Sequence, residues 1–363
     1  MKVLHVESGR YLYGGARQVL YILEGLKARG VDNLLACPPG SDIAKAAGAA
    51  AQVFEVPMAG DADVGLVLRL RRLIQRERPH LVHLHSRRGA DLFGGLAARW
   101  TGLPCVLSRR VDNPEPRWLV ALKYRLFDHV ITISEGIRQV LLDEGLPPAR
   151  VSCVRSAVDP APYLVGCDRA AFRRGLGIAV DAPVAAMVAQ LIERKGHRHV
   201  LAALPRVLQP HPALHLLIFG RGPLERALRE AIAAAGLASR VHLMGFVDDL
   251  PARLGCIDLL LHPADMEGLG VSLLQAAAAG VPIVASRAGG MPEAVEDGVT
   301  GLLIAPGDVD ALAAATIRLL DDPALRARMG EAGRRRVLTE FSVDTMCEGN
   351  LAVYRRLLGK AAP

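Results

Sequence analysis

The feature that most restricts this chain is an alternation of short β-rich runs with longer helix-periodic ones, and the alternation occurs twice. In the first half "KVLHVES" (2–8), "DNLLACPP" (32–39), "HLVHLHS" (80–86), "PCVLSRR" (104–110) and "HVITIS" (129–134) are separated by helical segments such as "GGARQVLYILEGLKARG" (14–30). The second half repeats the plan with "PVAAMVAQL" (183–191), "LHLLIFG" (214–220), "VHLMGF" (241–246), "CIDLLLHP" (256–263), "PIVAS" (282–286) and "GLLIAP" (301–306). Runs this apolar suit strands buried on both faces, and parallel strands need a crossover that a helix supplies. The expectation is an α/β protein of two Rossmann-like, doubly wound domains, residues 1–160 and 165–340. Between them "RSAVDPAPYLVGCDR" (155–169) is rich in turn residues and lacks periodicity. A late helix, about 343–360, could belong to either domain, packing back on the first in one of the two cases. Ligands of doubly wound sheets bind at the C-terminal ends of the strands, so the residues just past each strand are the ones to read for chemistry.

The 363 residues suit two domains of roughly 150–200 residues each. No apolar run reaches the roughly 18–20 residues a membrane span needs, and the start enters a strand without a signal-peptide pattern. The six cysteines have no CxxC or metal-ligand spacing, and they are expected to be small buried hydrophobes in a reduced cytoplasm. The net charge of +7 is uneven: residues 1–163 carry 22 Lys/Arg against 16 Asp/Glu. "RWLVALKYRLF" (117–127) is a basic amphipathic stretch, so attraction to an anionic membrane surface or an acidic acceptor is one reading, and solvated helix faces the other. Aromatic residues are only 4% of the chain, which argues against nucleic acid as a partner.

Three strand-to-helix junctions in the second half have the composition of an anion site. "FGRGPLERAL" places Gly220, Arg221 and Gly222 after a strand; "MEGLGVSLL" places Glu267, Gly268, Leu269 and Gly270 before a helix; "AQLIERKGHRH" places Arg194 and Lys195 before another. Glycines there let a backbone N–H approach an anion, and the helix start favours negative charge. A lysine at the third junction supplies a point charge for a diphosphate.

From residue 240 onward, "RVHLMGFVDDLPARLGCIDLLLHPADMEGLGVSLLQAAAAGVPIVASRAGGMPEAVEDGVTGLLIAPGD" resembles the C-terminal half of the family 4 retaining glycosyltransferases, which have the GT-B architecture. The same order of motifs extends through "AQLIERKG", "FGRGP" and "SAVDPAPY" to "GGARQVLYILEGL" near the N-terminus. The resemblance implies a nucleoside-diphosphate sugar bound mainly by the second domain and an acceptor held mainly by the first. Glu267 would contact donor-sugar hydroxyls, with Gly268, Leu269 and Gly270 presenting backbone N–H groups. The family's second glutamate, which grips the ribose, is Gln275 here; an amide oxygen accepts a weaker hydrogen bond than a carboxylate. The family's arginine beside the diphosphate is Gln190, which leaves the leaving-group charge to Lys195, the helix start after Gly270, and Arg194 or Arg221. The base would lie near "GFVDD" (245–249), beside Phe246. Gly14 and Gly15 match the family's N-terminal glycine loop.

His85 follows a strand end with Arg87 and Arg88, and Arg109, Arg110 and Asp112 follow the next. These suggest that His85 or Asp112 orients the acceptor hydroxyl while the arginines hold an acidic or phosphorylated acceptor. Lys195, Glu267 and His85 are thus the expected catalytic residues. His83 and His85 lack a carboxylate set in sequence, so no metal ligand set is expected, and the resemblance implies no cofactor beyond the nucleotide sugar. The reaction implied is sugar transfer with retention to a cell-envelope glycan or glycolipid, such as a lipopolysaccharide or polysaccharide, in the cytoplasm or at the inner face of the membrane. A nucleotide-sugar epimerase of the same architecture, or a subunit that has lost turnover through Gln190 and Gln275, are the alternatives.

Overall fold

The computed structural model describes residues 1–87 and 89–359. The chain forms two units. The first comprises Met1–Ala157 and the segment from Val343 onward; the second is Val158–Ser342.

In the first unit β1 (Lys2–Val6), β2 (Asp32–Cys37), β3 (Gln52–Glu55), β4 (Leu81–Leu84), β5 (Cys105–Arg109), β6 (His129–Thr132) and β7 (Val151–Cys153) form one parallel sheet in the order β3-β2-β1-β4-β5-β6-β7. The second unit has six parallel strands, β8 (Val184–Val188), β9 (His215–Phe219), β10 (Val241–Gly245), β11 (Leu259–His262), β12 (Ile283–Ser286) and β13 (Gly301–Ile304), in the order β10-β9-β8-β11-β12-β13. The expected pair of α/β sheets is present. Two short strands escape the sequence pattern, β3 and β7. Both lie at an edge of the first sheet, and β3 is half-exposed throughout, so neither carries the apolar run that marks a strand covered on both faces.

In each sheet the winding reverses once, between β1 and β4 in the first and between β8 and β11 in the second. At such a point two adjacent strands send their connections to opposite faces and leave a crevice at their C-terminal ends. One unit therefore opens its crevice beyond Val6 and Leu84, and the other beyond Val188 and His262.

Helices cover both faces of each sheet. The helix Gly14–Ala28 buries Val19, Leu20, Ile22, Leu23 and Leu26 at helical spacing. The helix Val343–Leu357 lies against it in the first unit, close enough that a Cβ on Gly25 would stand 2.2 Å from Cys347 Sγ. Its Tyr354 is fully buried against β4. Caps follow the expected chemistry: Ser134, Asp168, Asp308 and Asp322 each accept a backbone N–H in the first turn of the helix they open.

One expectation is corrected. Cys167 and Cys256 are joined in a disulfide across 89 residues of the second unit, with Cα atoms 5.5 Å apart. Their distance in sequence hid the pairing, which depends on Gly255 and Cys167 being neighbours in the fold. Cys37, Cys105 and Cys347 are the buried free thiols, and Cys153 is half-buried.

Candidate active site

The crevice of the second unit is built from loops that cross each other with almost no space between backbones. Gly196 closes the 3-10 turn Glu193–Lys195 at φ +76°, and a Cβ there would stand 1.9 Å from the carbonyl oxygen of Pro263. Gly220 sits at φ +143° with the same hypothetical atom 1.9 Å from Ala189 O. Only glycine satisfies both demands. These glycines therefore serve the packing of loop on loop, and the N–H of Gly220 is given to Gly245 O at 2.8 Å. Leu191 N–H donates to Arg221 O and Asp265 N–H to Arg194 O, at 3.0 and 2.8 Å. Asp265 also accepts from Arg198 at 2.7 Å and lies 2.9 Å from His199, so the segment leading to Glu267 is braced from the neighbouring helix.

This bracing brings Lys195 and Glu267 together. The Lys195 ammonium donates to Glu267 Oε2, His262 Nε2 lies 3.0 Å from the same oxygen, and Gly268 N–H donates to Oε1 at 3.1 Å. Lys195 is 8% exposed and His262 1%. Burial alone would raise the Glu267 carboxyl. The hydrogen bond to His262 and the charge and hydrogen bond of Lys195 outweigh it and hold the group well below the usual carboxylate range. Glu267 is therefore ionised at neutral pH. Beside it His197 is 2% exposed, with no partner on either ring nitrogen among the described residues. Burial, reinforced by His262 and Lys195, pushes it down to about 4, so it stands as a neutral imidazole.

The helix Val271–Ala278 starts immediately after this group, with Gly270 at φ +87° as its N-cap and no side-chain cap. Its first N–H groups and the Lys195 ammonium form a positive locus suited to an anion. Leu269 is buried and turns its side chain into the unit. Gln275 is half-buried, and its amide has no hydrogen-bond partner among the described residues. Gln190 is exposed at the end of β8. Arg221 lays its guanidinium 5.9 Å from the Phe246 ring centroid, a cation–π approach that associates the two residues expected near the nucleotide.

The crevice of the first unit is a cavity of about 610 Å³ at the ends of β1, β4 and β5, bordered by Glu7, Gly15, His85, Arg87 and Arg110 among others. Gly14 and Gly15 open the helix that follows β1, and a Cβ on Gly15 would stand 3.9 Å from Arg110 Cδ. His85 is 1% exposed and touches His5 Nδ1 through Nε2 at 2.9 Å. Burial drives both rings down, His5 to about 3 and His85 well below its ordinary value, with the charge of His83 adding to the effect on His85. His5, His83 and His85 bring ring nitrogens within 4.8 Å of one another. The two nitrogens of His83 are engaged by Tyr354 Oη at 2.5 Å and Ser108 Oγ at 2.9 Å.

The arginines differ from one another more than their adjacency suggests. Arg109 was expected to hold an acceptor, but its guanidinium turns inward and donates to Val111 O, Glu115 Oε2, Tyr124 Oη and Asn113 O. It fastens a loop. Arg87 lies 3.6 Å from Glu115 and is half-exposed, Asp112 is buried, and Arg88 lies outside the described residues. Arg110 borders the cavity and donates to His85 O at 3.3 Å. The basic stretch around 117–127 is less cationic than it reads, because Lys123 is held by Asp91 at 2.7 Å and Glu115 at 3.3 Å. The large apolar side chains its helix exposes are Trp118 and Leu122, near a second, apolar cavity lined by Leu92, Leu96, Leu119 and Leu126 among others.

Sequence reasoning missed His262, His197 and His5. His262 and His5 lie inside apolar strand runs, where a histidine reads as core. The only signal for His262 was its position at a strand end five residues before Glu267.

With the geometry in place, comparison with known proteins is informative. Residues 13–162 match the family model described as Glycosyltransferase Family 4, and residues 168–336 match Glycosyl transferases group 1. The 2-deoxystreptamine glucosyltransferase of Streptomyces kanamyceticus is 32% identical over 302 residues, 77% of each protein. The GDP-mannose-dependent monoacylated alpha-(1-6)-phosphatidylinositol monomannoside mannosyltransferase of Corynebacterium glutamicum is 39% identical over 190 residues, 50% of this chain and 49% of that protein. The chain thus spans about half the length of that relative. Among solved structures, Anabaena HepE in complex with UDP-glucose superposes with a TM-score of 0.85 at 20% identity, covering 98% of this chain and 100% of that one; the likeness establishes the GT-B fold. Its two α/β units and the two matched family models place this chain in glycosyltransferase family 4, the group 1 glycosyl transferases.

Proposed function

We propose that the protein transfers a sugar, with retention at the anomeric carbon, from a nucleoside-diphosphate sugar to a cell-envelope glycan or glycolipid. The observation that carries this reading is the Lys195–Glu267 pair at the winding reversal of the second sheet, set directly under an uncapped helix start. A cation and a helix N-terminus suit a diphosphate, and an ionised carboxylate beside them suits sugar hydroxyls. HepE was captured with UDP-glucose and the Corynebacterium relative is named for GDP-mannose and a phosphatidylinositol mannoside acceptor; both support a nucleotide sugar, and the second supports a lipid-linked acceptor. The bond from the anomeric carbon to the diphosphate oxygen breaks while a bond to the acceptor oxygen forms on the same face. A diphosphate oxygen takes the acceptor proton. The protein's part is then to position the reactants and stabilise the charge on the leaving diphosphate through Lys195 and the N–H groups after Gly270, without a metal ion or further cofactor.

Among the described residues no helix is long and apolar enough to cross a membrane. The exposed Trp118 and Leu122 beside the apolar cavity support a protein that works at a membrane surface. Flotation with anionic liposomes tests that point, and absence of binding at low salt would refute it.

The main test is thermal unfolding against UDP, GDP, ADP, CMP and NAD. A ligand at 100 times its Kd adds about 2.7 kcal/mol. Stabilisation by one nucleoside diphosphate supports the transferase and selects the donors to assay for transfer. A flat response to all five refutes it in favour of a subunit without turnover, and release of an altered sugar without an acceptor would point to an epimerase.

A further inference from the structure

The cavity of the first unit contains an ordered pattern of proton positions that follows from which of its groups can only donate and which can only accept. Arg110 is a donor and nothing else. Its Nη2 lies 3.5 Å from His85 Nδ1, so that nitrogen presents a lone pair and the His85 proton is on Nε2. His85 Nε2–H then donates to His5 Nδ1 at 2.9 Å, which puts the His5 proton on Nε2.

Asn33 Nδ2 donates to Leu23 O at 2.8 Å and Ala50 O at 3.1 Å. Both amide hydrogens are therefore engaged, and the orientation of the amide is fixed, with Oδ1 left as an acceptor. Asn33 Oδ1 and His5 Nε2 are each buried with no partner within hydrogen-bond distance. The Asn33 side chain raises the proton affinity of His5. The Nε2–H that the argument from Arg110 assigns to His5 is left without a partner among the described residues, as is Asn33 Oδ1. Asn33 is on β2 and His5 on β1, in parallel register with Val3 opposite Asn33, so both side chains lie on one face of the sheet.

We propose that His5 and His85 form a buried relay in which His5 accepts the His85 Nε2–H, so that His85 Nδ1 receives an Arg110 N–H and aims the guanidinium at an oxyanion of the acceptor. This rests on the reading that the first unit binds the acceptor. Arg110 Nε is anchored on His85 O at 3.3 Å, while Nη1 makes no hydrogen bond among the described residues, in a cavity it borders. Glu7 acts on Arg110 from the same cavity, and an oxyanion would compete with that carboxylate. His5 is a positioning residue here: it is fully buried and acts only through His85.

The test begins with the wild-type protein. Long-range 1H–15N correlation on uniformly 15N-labelled protein reads the proton of each ring; the relay requires Nε2–H on both His5 and His85, and Nδ1–H on His85 would overturn it. Titration with inorganic phosphate, followed on the Arg110 side-chain Nε resonance, is expected to saturate. His5→Phe removes the acceptor for His85 Nε2–H and should weaken phosphate binding at Arg110 about tenfold, the scale of one hydrogen bond to a charged group. His5→Asn, whose Oδ1 stands where Nδ1 stood, should restore it. Unchanged phosphate binding in His5→Phe would overturn the relay. None of these readouts needs turnover, so failure of sugar transfer with every nucleotide sugar would refute the proposed function and leave the proton pattern standing on its own measurement.

Discussion

Seven histidines whose pKa burial lowers make acid the sharpest general perturbation of this protein. In the first unit His5 is depressed to about 3 and His129 to about 4, chiefly by burial, and His83 and His85 lie well below their ordinary value for the same reason. A base whose folded pKa is depressed contributes stability that is fully present above its unfolded pKa, about 6.5. That stability is lost as pH falls toward the folded value, because only the unfolded chain takes up the proton. Between pH 7.5 and 5.5 the loss is about 1.4 kcal/mol for each such histidine. The size is the same whether the folded pKa is 3 or 4, since neither state of the folded ring titrates in that window. Four rings remove roughly 5 kcal/mol, comparable to the lower end of ordinary domain stability. Glu7 and Glu144, raised by burial, run the opposite way and offset part of this. The two tryptophans, Trp100 and Trp118, both belong to the first unit, so urea unfolding followed by their fluorescence reports that unit alone. The midpoint should fall by roughly 2 M between pH 7.5 and 5.5. Equal midpoints at the two pH values would refute the claim that these rings are buried and neutral.

Lys195→Ala should reduce transfer by at least about a hundredfold, the scale of removing one preorganised charge donor at a developing anion, and near-normal turnover in a steady-state assay would remove Lys195 from its proposed role. Gln275→Glu should tighten nucleotide binding about tenfold, or about 1.4 kcal/mol, if the side chain clasps the ribose; titration calorimetry with the stabilising nucleotide measures it, and weaker binding would place Gln275 elsewhere. Thiol titration of the denatured, unreduced protein should find four reactive cysteines, the two of the Cys167–Cys256 disulfide being silent; six would show the pair to be reduced.

The two sheets were legible because eleven of the strands carry apolar runs, a pattern that survives without tertiary information. The edge strands Gln52–Glu55 and Val151–Cys153 did not show, because they are short and carry polar residues, which an edge tolerates. The site was legible where chemistry and position coincide, as with Lys195, Glu267 and the glycines at strand ends. It was not legible where a side chain's role depends on what the fold places against it. Arg109 and Arg110 are adjacent and chemically identical, yet one is tied to Glu115, Tyr124 and two carbonyls while the other borders the cavity. The alternation of side chains along the chain says that they diverge, but not which one turns inward. Gly220 was read for an anion and is required by Ala189, because a close backbone approach has the same signature whether the neighbour is ligand or protein.

The pairing of Lys195 with Glu267 has a consequence for how the proposed donor would bind. The unliganded site is electrically satisfied: the carboxylate is matched by the ammonium, by His262 and by its neighbouring N–H. A diphosphate must therefore compete for Lys195 with a buried carboxylate, so the lysine contributes to donor affinity only the difference between two ion pairs. Removing Glu267 would free that cation, and Glu267→Gln should bind a nucleoside diphosphate at least as tightly as the wild type while losing transfer, because the carboxylate would no longer hold the sugar. Weakened binding of the diphosphate by Glu267→Gln would mean that the pair acts as a unit to shape the site. The two outcomes separate a lysine held in reserve for the leaving group from one that serves only to fix Glu267 in place.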